Sequence, residues 1–149
     1  MYKPWMQEAL KLAEQARDMD EVPVGAVVVM DDQIIGRGFN HPISGHDPTA
    51  HAEIEALRDA AHHMSNYRLP GASLFVTVEP CTMCAGALIH ARVENLIFGA
   101  REPRSGAVKS SAGVLENTTL NHRIRVTEGV LADECGALLT AFFQSRRDR

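Results

Sequence analysis

Cysteine is scarce in this chain. Of 149 residues only three are cysteine, Cys81, Cys84 and Cys135, which excludes a structural metal site built from four thiolates by count alone. Long apolar runs are missing as well. The longest strand-like stretch, Val24 to Met30, falls far short of the roughly 20 residues that cross a bilayer as a helix, so a membrane span is not expected. The first residues, Met1-Tyr2-Lys3-Pro4-Trp5, lack the apolar core and cleavage site of a secretory signal. The expectation is a cytoplasmic protein, in which paired cysteines bind metal more readily than each other. Internal repeats, low-complexity segments and linkers are also absent, and a basic excess is not there either. The formal net charge of −4 argues, on its face, against a nucleic-acid partner.

The distribution of charge says more than the sum. Residues 1–60 carry five Lys and Arg against eleven Asp and Glu; residues 61–149 carry ten against eight. The later cations cluster at Arg101, Arg104 and Lys109, at Arg123 and Arg125, and at Arg146, Arg147 and Arg149. They are either ordinary solvated charges or a rim for phosphates, and charge alone does not choose. With 45% hydrophobic and 23% charged residues, the whole of 1–149 fits one globular domain with one core.

Along the chain, Trp5 to Arg17 repeats apolar residues at helical spacing. Val24–Met30 reads as a strand buried on both faces. Asp31-Asp32 turns it into a second strand, Gln33–Phe39, whose two glycines suggest a sheet edge. Asn40–Thr49 is a loop, with Asp47-Pro48-Thr49 suited to a helix entry. A helix from about Ala50 to Ala61 follows, with Ile54, Leu57 and Ala61 on one face. Then come a strand (Ser73–Val78), a helix (Cys84–Arg92), a strand (Glu94–Gly99), an irregular stretch (100–123), a short strand (Arg123–Thr127) and an amphipathic helix (Val130–Arg146). This order predicts an α/β fold: a three-layer α/β/α sandwich around a five-stranded mixed sheet, with ligands at the strand C-termini.

The chemistry concentrates in Glu79-Pro80-Cys81-Thr82-Met83-Cys84 and His51-Ala52-Glu53, two stretches at helix starts. Cysteines three apart on a first helical turn can share a metal. With His51, Cys81 and Cys84 as ligands, a fourth tetrahedral position stays open, as in catalytic zinc sites. Residues i and i+2 of a helix do not share a face, so Glu53 is a poor second ligand and a better proton carrier. A redox pair, or a site of three cysteines and one histidine that recruits Cys135, remains open for the cysteines. Cys135 reads as a small buried hydrophobe, and His62-His63 as a cap or surface pair.

The motif His-x-Glu followed by Pro-Cys-x-x-Cys resembles the signature of zinc-dependent nucleobase deaminases. The likeness extends through Glu21–Val27, Asn40-x-Pro42, His46–Glu53, Asn66–Leu69, Glu79–Ala87, Phe98–Arg101, Asn121–Arg123 and Glu128–Cys135. These blocks resemble the bacterial tRNA-specific adenosine deaminases, from about Trp5 to Arg147. The resemblance implies the cytidine-deaminase-like fold, a homodimer, one Zn2+ per subunit, and conversion of adenosine to inosine at the wobble position of tRNA-Arg. By position it assigns His51, Cys81 and Cys84 to zinc, Glu53 to proton transfer, Asn40 to the base and Ala52 to substrate binding. It assigns Arg101, Glu102, Arg104, Phe143, Arg146 and Arg147 to the anticodon stem-loop. Glu102 departs from the Asp usual there. A deaminase of free guanine or cytosine, or a non-catalytic zinc-stabilised RNA-binding subunit, are the alternative readings.

Overall fold

β-Branched and aromatic residues gather in five short runs, and each forms a strand in the computed structural model, which describes residues 1–117 and 122–148. The strands are β1 (Gly25–Met30), β2 (Gln33–Phe39), β3 (Ser73–Val78), β4 (Asn95–Ala100) and β5 (Arg125–Glu128), in one sheet ordered β2-β1-β3-β4-β5. β1 runs antiparallel to both of its neighbours, whereas β3, β4 and β5 are parallel. The mixed sheet matches expectation. Helices α1 (Lys3–Asp18) and α4 (Ala132–Arg147) cover one face, and α2 (Ala52–Met64) and α3 (Thr82–His90) the other.

The two-residue period of the strands sorts side chains between the layers. Val27, Val29, Phe75 and Ile97 point toward Met6, Ala9 and Leu12 of α1 and toward Cys135 of α4. Ala26, Val28, Leu74, Val76, Leu96 and Phe98 join Ala52, Ala56 and Ala60 of α2 and Leu88 of α3. Cys135 is therefore the buried hydrophobe expected of it, and His62 and His63 are exposed in the last turn of α2.

β2 is an edge strand, as its glycines suggested, but they have a second cause. A Cβ on Gly38 would lie 2.4 Å from the carbonyl oxygen of Ala52, and one on Gly36 equally close to that of Ala56. Helix α2 lies directly on this strand, which only glycine facing alanine permits. The inward stripe of α2 is accordingly Ala52, Ala56, Leu57 and Ala60; Ile54 and Ala61 are only half-buried, which corrects the face read from apolar spacing.

Several boundaries also shift. Asp47 does not cap α2: its carboxylate accepts from the amide and hydroxyl of Thr49, closing a separate turn, and His51 stands at the N-cap. α3 begins at Thr82, and α4 begins at Ala132, after left-handed Gly129 and Leu131 (φ 85° and 54°). Between β4 and β5 the described residues make turns and one short 3-10 helix, Val114–Glu116. Asn121 lies outside the described residues. No helix among the described residues is long and apolar enough to cross a membrane.

The topology gathers chain ends at one edge of the sheet. β3 and β4 end there side by side, with Val78 opposite Ala100. Because β1 is antiparallel to β3, its beginning lies at the same edge, and β2 ends opposite it with Phe39 paired to Gly25. The segments 21–24, 40–51, 79–81 and 100–106 therefore meet.

Replacing Gly38 with alanine should destabilise the protein by about 2–3 kcal/mol, since the methyl group meets the α2 backbone at Ala52 and Ala56 and the rigid Glu55 Cβ. Urea unfolding of Gly38→Ala checks this, and an unchanged midpoint would contradict the close α2–β2 contact.

Candidate functional site

Two helices start at this edge, and each opens with a residue that can ligate metal. His51 is the N-cap of α2 and Cys81 the N-cap of α3, both in extended backbone conformation; Cys84 is the third residue of α3. His51 Nδ1 lies 3.6 Å from Cys81 Sγ and 3.5 Å from Cys84 Sγ, and the three ligand atoms fall within 4.8 Å of one another. This group can hold a metal ion. Cys135, on α4, is packed beside Gly99 and takes no part, so the alternative of a third cysteine ligand is not realised.

The proton chemistry of the cluster is uneven. Hydrogen bonding from the Cys84 thiol, opposed by burial and helped by His51, holds Cys81 down at about 4. Cys84, bonded to Cys81 and buried, is pushed well up. The bond to Cys81 raises His51 against the effect of burial. The positive N-terminal ends of α2 and α3 both face the site.

Because His51 is a cap and not a helical residue, the rule about i and i+2 does not part it from Glu53. Glu53 is 4% exposed, and burial pushes its carboxyl up to about 7 despite its own amide and the Cys84 thiol. A carboxyl poised there both accepts and releases a proton near neutrality.

A cavity of ≈ 290 Å³ opens beside the cluster, lined by Val22, Val24, Asn40, Glu53, Glu102 and Phe143 among others. Asn40 is held at both ends of its residue. Its amide N–H donates to the Val24 carbonyl at 3.0 Å, and its Nδ2 donates to the Val22 carbonyl at 3.2 Å. That leaves Oδ1 and the second N–H of Nδ2 for a ligand. The cavity continues through Glu102, Leu139 and Phe143 into a groove flanked by Arg104, Arg146 and Arg147.

Of the residues singled out from sequence, Asn40, His51, Glu53, Cys81, Glu102 and Phe143 thus share one cavity, and Arg104, Arg146 and Arg147 its extension. Two are placed otherwise. The Ala52 side chain is wholly buried against β2, and Arg101 turns away to pair with Glu128 through bonds of 2.7 and 3.0 Å. Arg146 donates to the Asp20 carbonyl at 2.6 Å while its guanidinium stacks on Phe142.

Sequence reasoning passed over two buried carboxylates that shape the rim. Glu21, 1% exposed, accepts the amides of Ile43 and Ser44 and so fixes the loop after Asn40. Glu79 accepts amides from Glu102, Val108, Lys109 and Ser110 and the Ser110 hydroxyl. Burial opposes its ionisation, but these donors together hold it at about 2. For Glu79 the only local signal is an acid beside a proline just after a strand, and Glu21 has none. The donors lie 22 to 31 residues away, out of reach of any local pattern.

A family model described as MafB19-like deaminase matches residues 2–147. A tRNA-specific adenosine deaminase of Haemophilus influenzae is 51% identical over 96% of this chain and 83% of its own length. One of Bacillus subtilis is 41% identical over 97% and 90%. A structure from work on A-to-I editing by tRNA:A34 deaminases aligns with a TM-score of 0.88 at 43% identity, covering 91% of this chain and 98% of that one. A guanine deaminase from Nitrosomonas europaea aligns at 0.80 with 27% identity, over 95% and 84%.

Glu21 generates a prediction in pH. Burial raises its pKa, but the Ser44 and Ile43 donors outweigh it and leave the folded value below the ordinary one. Its stabilisation is then present above the ordinary carboxylate range and lost as pH falls through the folded value. Glu21→Gln should cost about 1–3 kcal/mol at neutral pH. In urea unfolding the gap to the parent chain should close as pH drops below the carboxylate range; a gap independent of pH would contradict the assignment.

Proposed function

The chain belongs to the tRNA-specific adenosine deaminase family, and on that premise we propose that it hydrolyses adenosine to inosine at the wobble position of tRNA-Arg, with zinc as its metal. The observation that carries the proposal is the convergence of His51, Cys81 and Cys84 beside a buried Glu53 at the wall of a base-sized cavity. Zinc bonds of about 2.0 Å to nitrogen and 2.3 Å to sulfur, at a tetrahedral angle, separate N from S by about 3.5 Å, and this chain holds them at 3.5 and 3.6 Å. Bound there, zinc would supply Lewis acidity that makes water a nucleophile at neutral pH.

The chain's own groups do the rest. Glu53 takes a proton from the water that adds to C6 of adenine and hands it to the adjacent ring nitrogen. It then takes the remaining proton from the new C6 hydroxyl and delivers it to the amino group, so the C–N bond breaks, ammonia leaves and the oxo group of inosine remains. Asn40, anchored to Val22 and Val24, orients the base, and a base that fails to pair with it leaves a buried polar group unsatisfied. Val22, Val24 and Val78 exclude bulk water from the cavity floor.

The rim supports an RNA partner. Arg104, Arg147 and the 40%-exposed Phe143 offer phosphate contacts and a stacking face along one groove. Arg101 and Arg146, engaged with Glu128 and Asp20 in the free protein, contribute by exchanging those partners for phosphate. We also place the enzyme in the cytoplasm as a homodimer. Half-buried Ile54 and Ala61, with Leu57, Tyr67 and Ala87, line an apolar hollow of ≈ 400 Å³ that such a dimer would cover.

Inosine formation in an anticodon stem-loop, against free adenosine, guanine and cytosine, tests the proposal. Turnover of the stem-loop is expected, and preference for a free base would overturn it. Glu53→Gln should keep zinc and lose turnover by at least about 10²–10⁴-fold, whereas Cys84→Ser should lose the metal. Binding should weaken steeply with salt, and salt-independent binding would contradict the phosphate contacts.

A further inference from the structure

We propose that Glu79 is a positioning residue for RNA recognition: its buried carboxylate is the anion around which the 101–111 loop folds into the wall of the substrate site. This rests on the RNA-deaminase reading above. Glu79 directly follows β3 at the edge where the metal-binding cluster lies, two residues before Cys81, and is 4% exposed. Its Oε2 accepts three successive amides, Val108 at 3.1 Å, Lys109 at 2.7 Å and Ser110 at 2.8 Å. Its Oε1 accepts the Glu102 amide at 3.0 Å and the Ser110 hydroxyl.

Consecutive amides aimed at one point form an anion-binding nest, and here the anion is a side chain of the same protein. The loop is drawn in tightly enough that a Cβ on Gly106 would lie 2.4 Å from the Glu79 carboxyl carbon. The Ala107 amide adds a bond of 2.9 Å to the Pro80 carbonyl. The loop is therefore fastened on both sides to the turn Glu79-Pro80-Cys81.

What the loop presents outward is the substrate wall. Glu102 and Ser105 line both the cavity and the groove, and Arg104 lines the groove. Glu102 in turn accepts the Arg104 amide at 2.9 Å, which fixes its carboxylate at the rim. Glu79 itself borders the cavity, but both of its carboxylate oxygens are occupied by loop donors. It sets where Glu102, Arg104 and Ser105 stand, and a misplacement of about 1 Å in such contacts is enough to cost substantial binding and orientation.

A neutral glutamine of the same size is the sharp test, because its NH2 would oppose donors now met by an oxygen. In the full chain loaded with zinc, Glu79→Gln should speed hydrogen exchange at amides 102 and 108–110. It should raise KM for an anticodon stem-loop at least about tenfold while kcat changes less than about threefold, with zinc content unaltered. Unchanged KM with protected loop amides would overturn the proposal. So would loss of zinc with a parallel fall in kcat, since Glu79 would then act through the metal-binding turn. If Glu79→Gln does not fold, Ser110→Ala removes one donor and keeps the anion. It should loosen the same amides and raise KM about threefold, and no change in either would equally defeat the proposal. Failure of the parent chain to deaminate the stem-loop would instead reject the functional reading, while the exchange data still report on the loop.

Discussion

Two helix N-termini that end over the same sheet edge are the constraint on which the rest depends. His51 and Cys81 are the caps themselves, so each side chain projects past its helix into the space between them. Their approach to within 4.8 Å requires α2 to lie against β2, which Gly36 and Gly38 permit, and β3 to deliver Cys81 beside it. A bulkier β2 would move His51 away from the thiols. The metal-binding geometry is thus a consequence of helix–sheet packing as much as of ligand identity.

Buried glutamates divide the remaining work by their surroundings. Glu53 and Glu79 are both 4% exposed, and burial presses both toward the neutral form. Glu53 has few donors and rises to about 7, where a proton carrier belongs; Glu79 has five and falls to about 2, where it is a fixed anion. Glu21 follows the second pattern beneath the loop after Asn40. One residue type can thus supply a proton carrier and two fixed anchors, because both the depth of burial and the number of hydrogen-bond donors differ among the three.

Much of this was legible in the sequence. The five strands, the edge position of β2, the three layers and the cluster of His51, Glu53, Cys81 and Cys84 followed from period, turn residues and motif spacing, and the family resemblance agrees with the relatives found. What escaped was non-local. The inward face of α2 was misread because alanine facing glycine packs closest, and apolar size points elsewhere. Arg101 and Arg146 looked like free cations, but their partners Glu128 and Asp20 lie 27 and 126 residues away. Glu21 and Glu79 fall within the motif blocks, but their anchoring role does not show there because the amides that give it belong to loops distant in sequence.

The central claim is a zinc centre with three protein ligands and one position left for chemistry. X-ray absorption at the zinc edge of the purified protein tests it most directly. The predicted first shell holds two sulfurs at about 2.3 Å and two light atoms near 2.0 Å, one of them with the outer-shell pattern of a single imidazole. A shell of three or four sulfurs, or of two imidazoles, would contradict it.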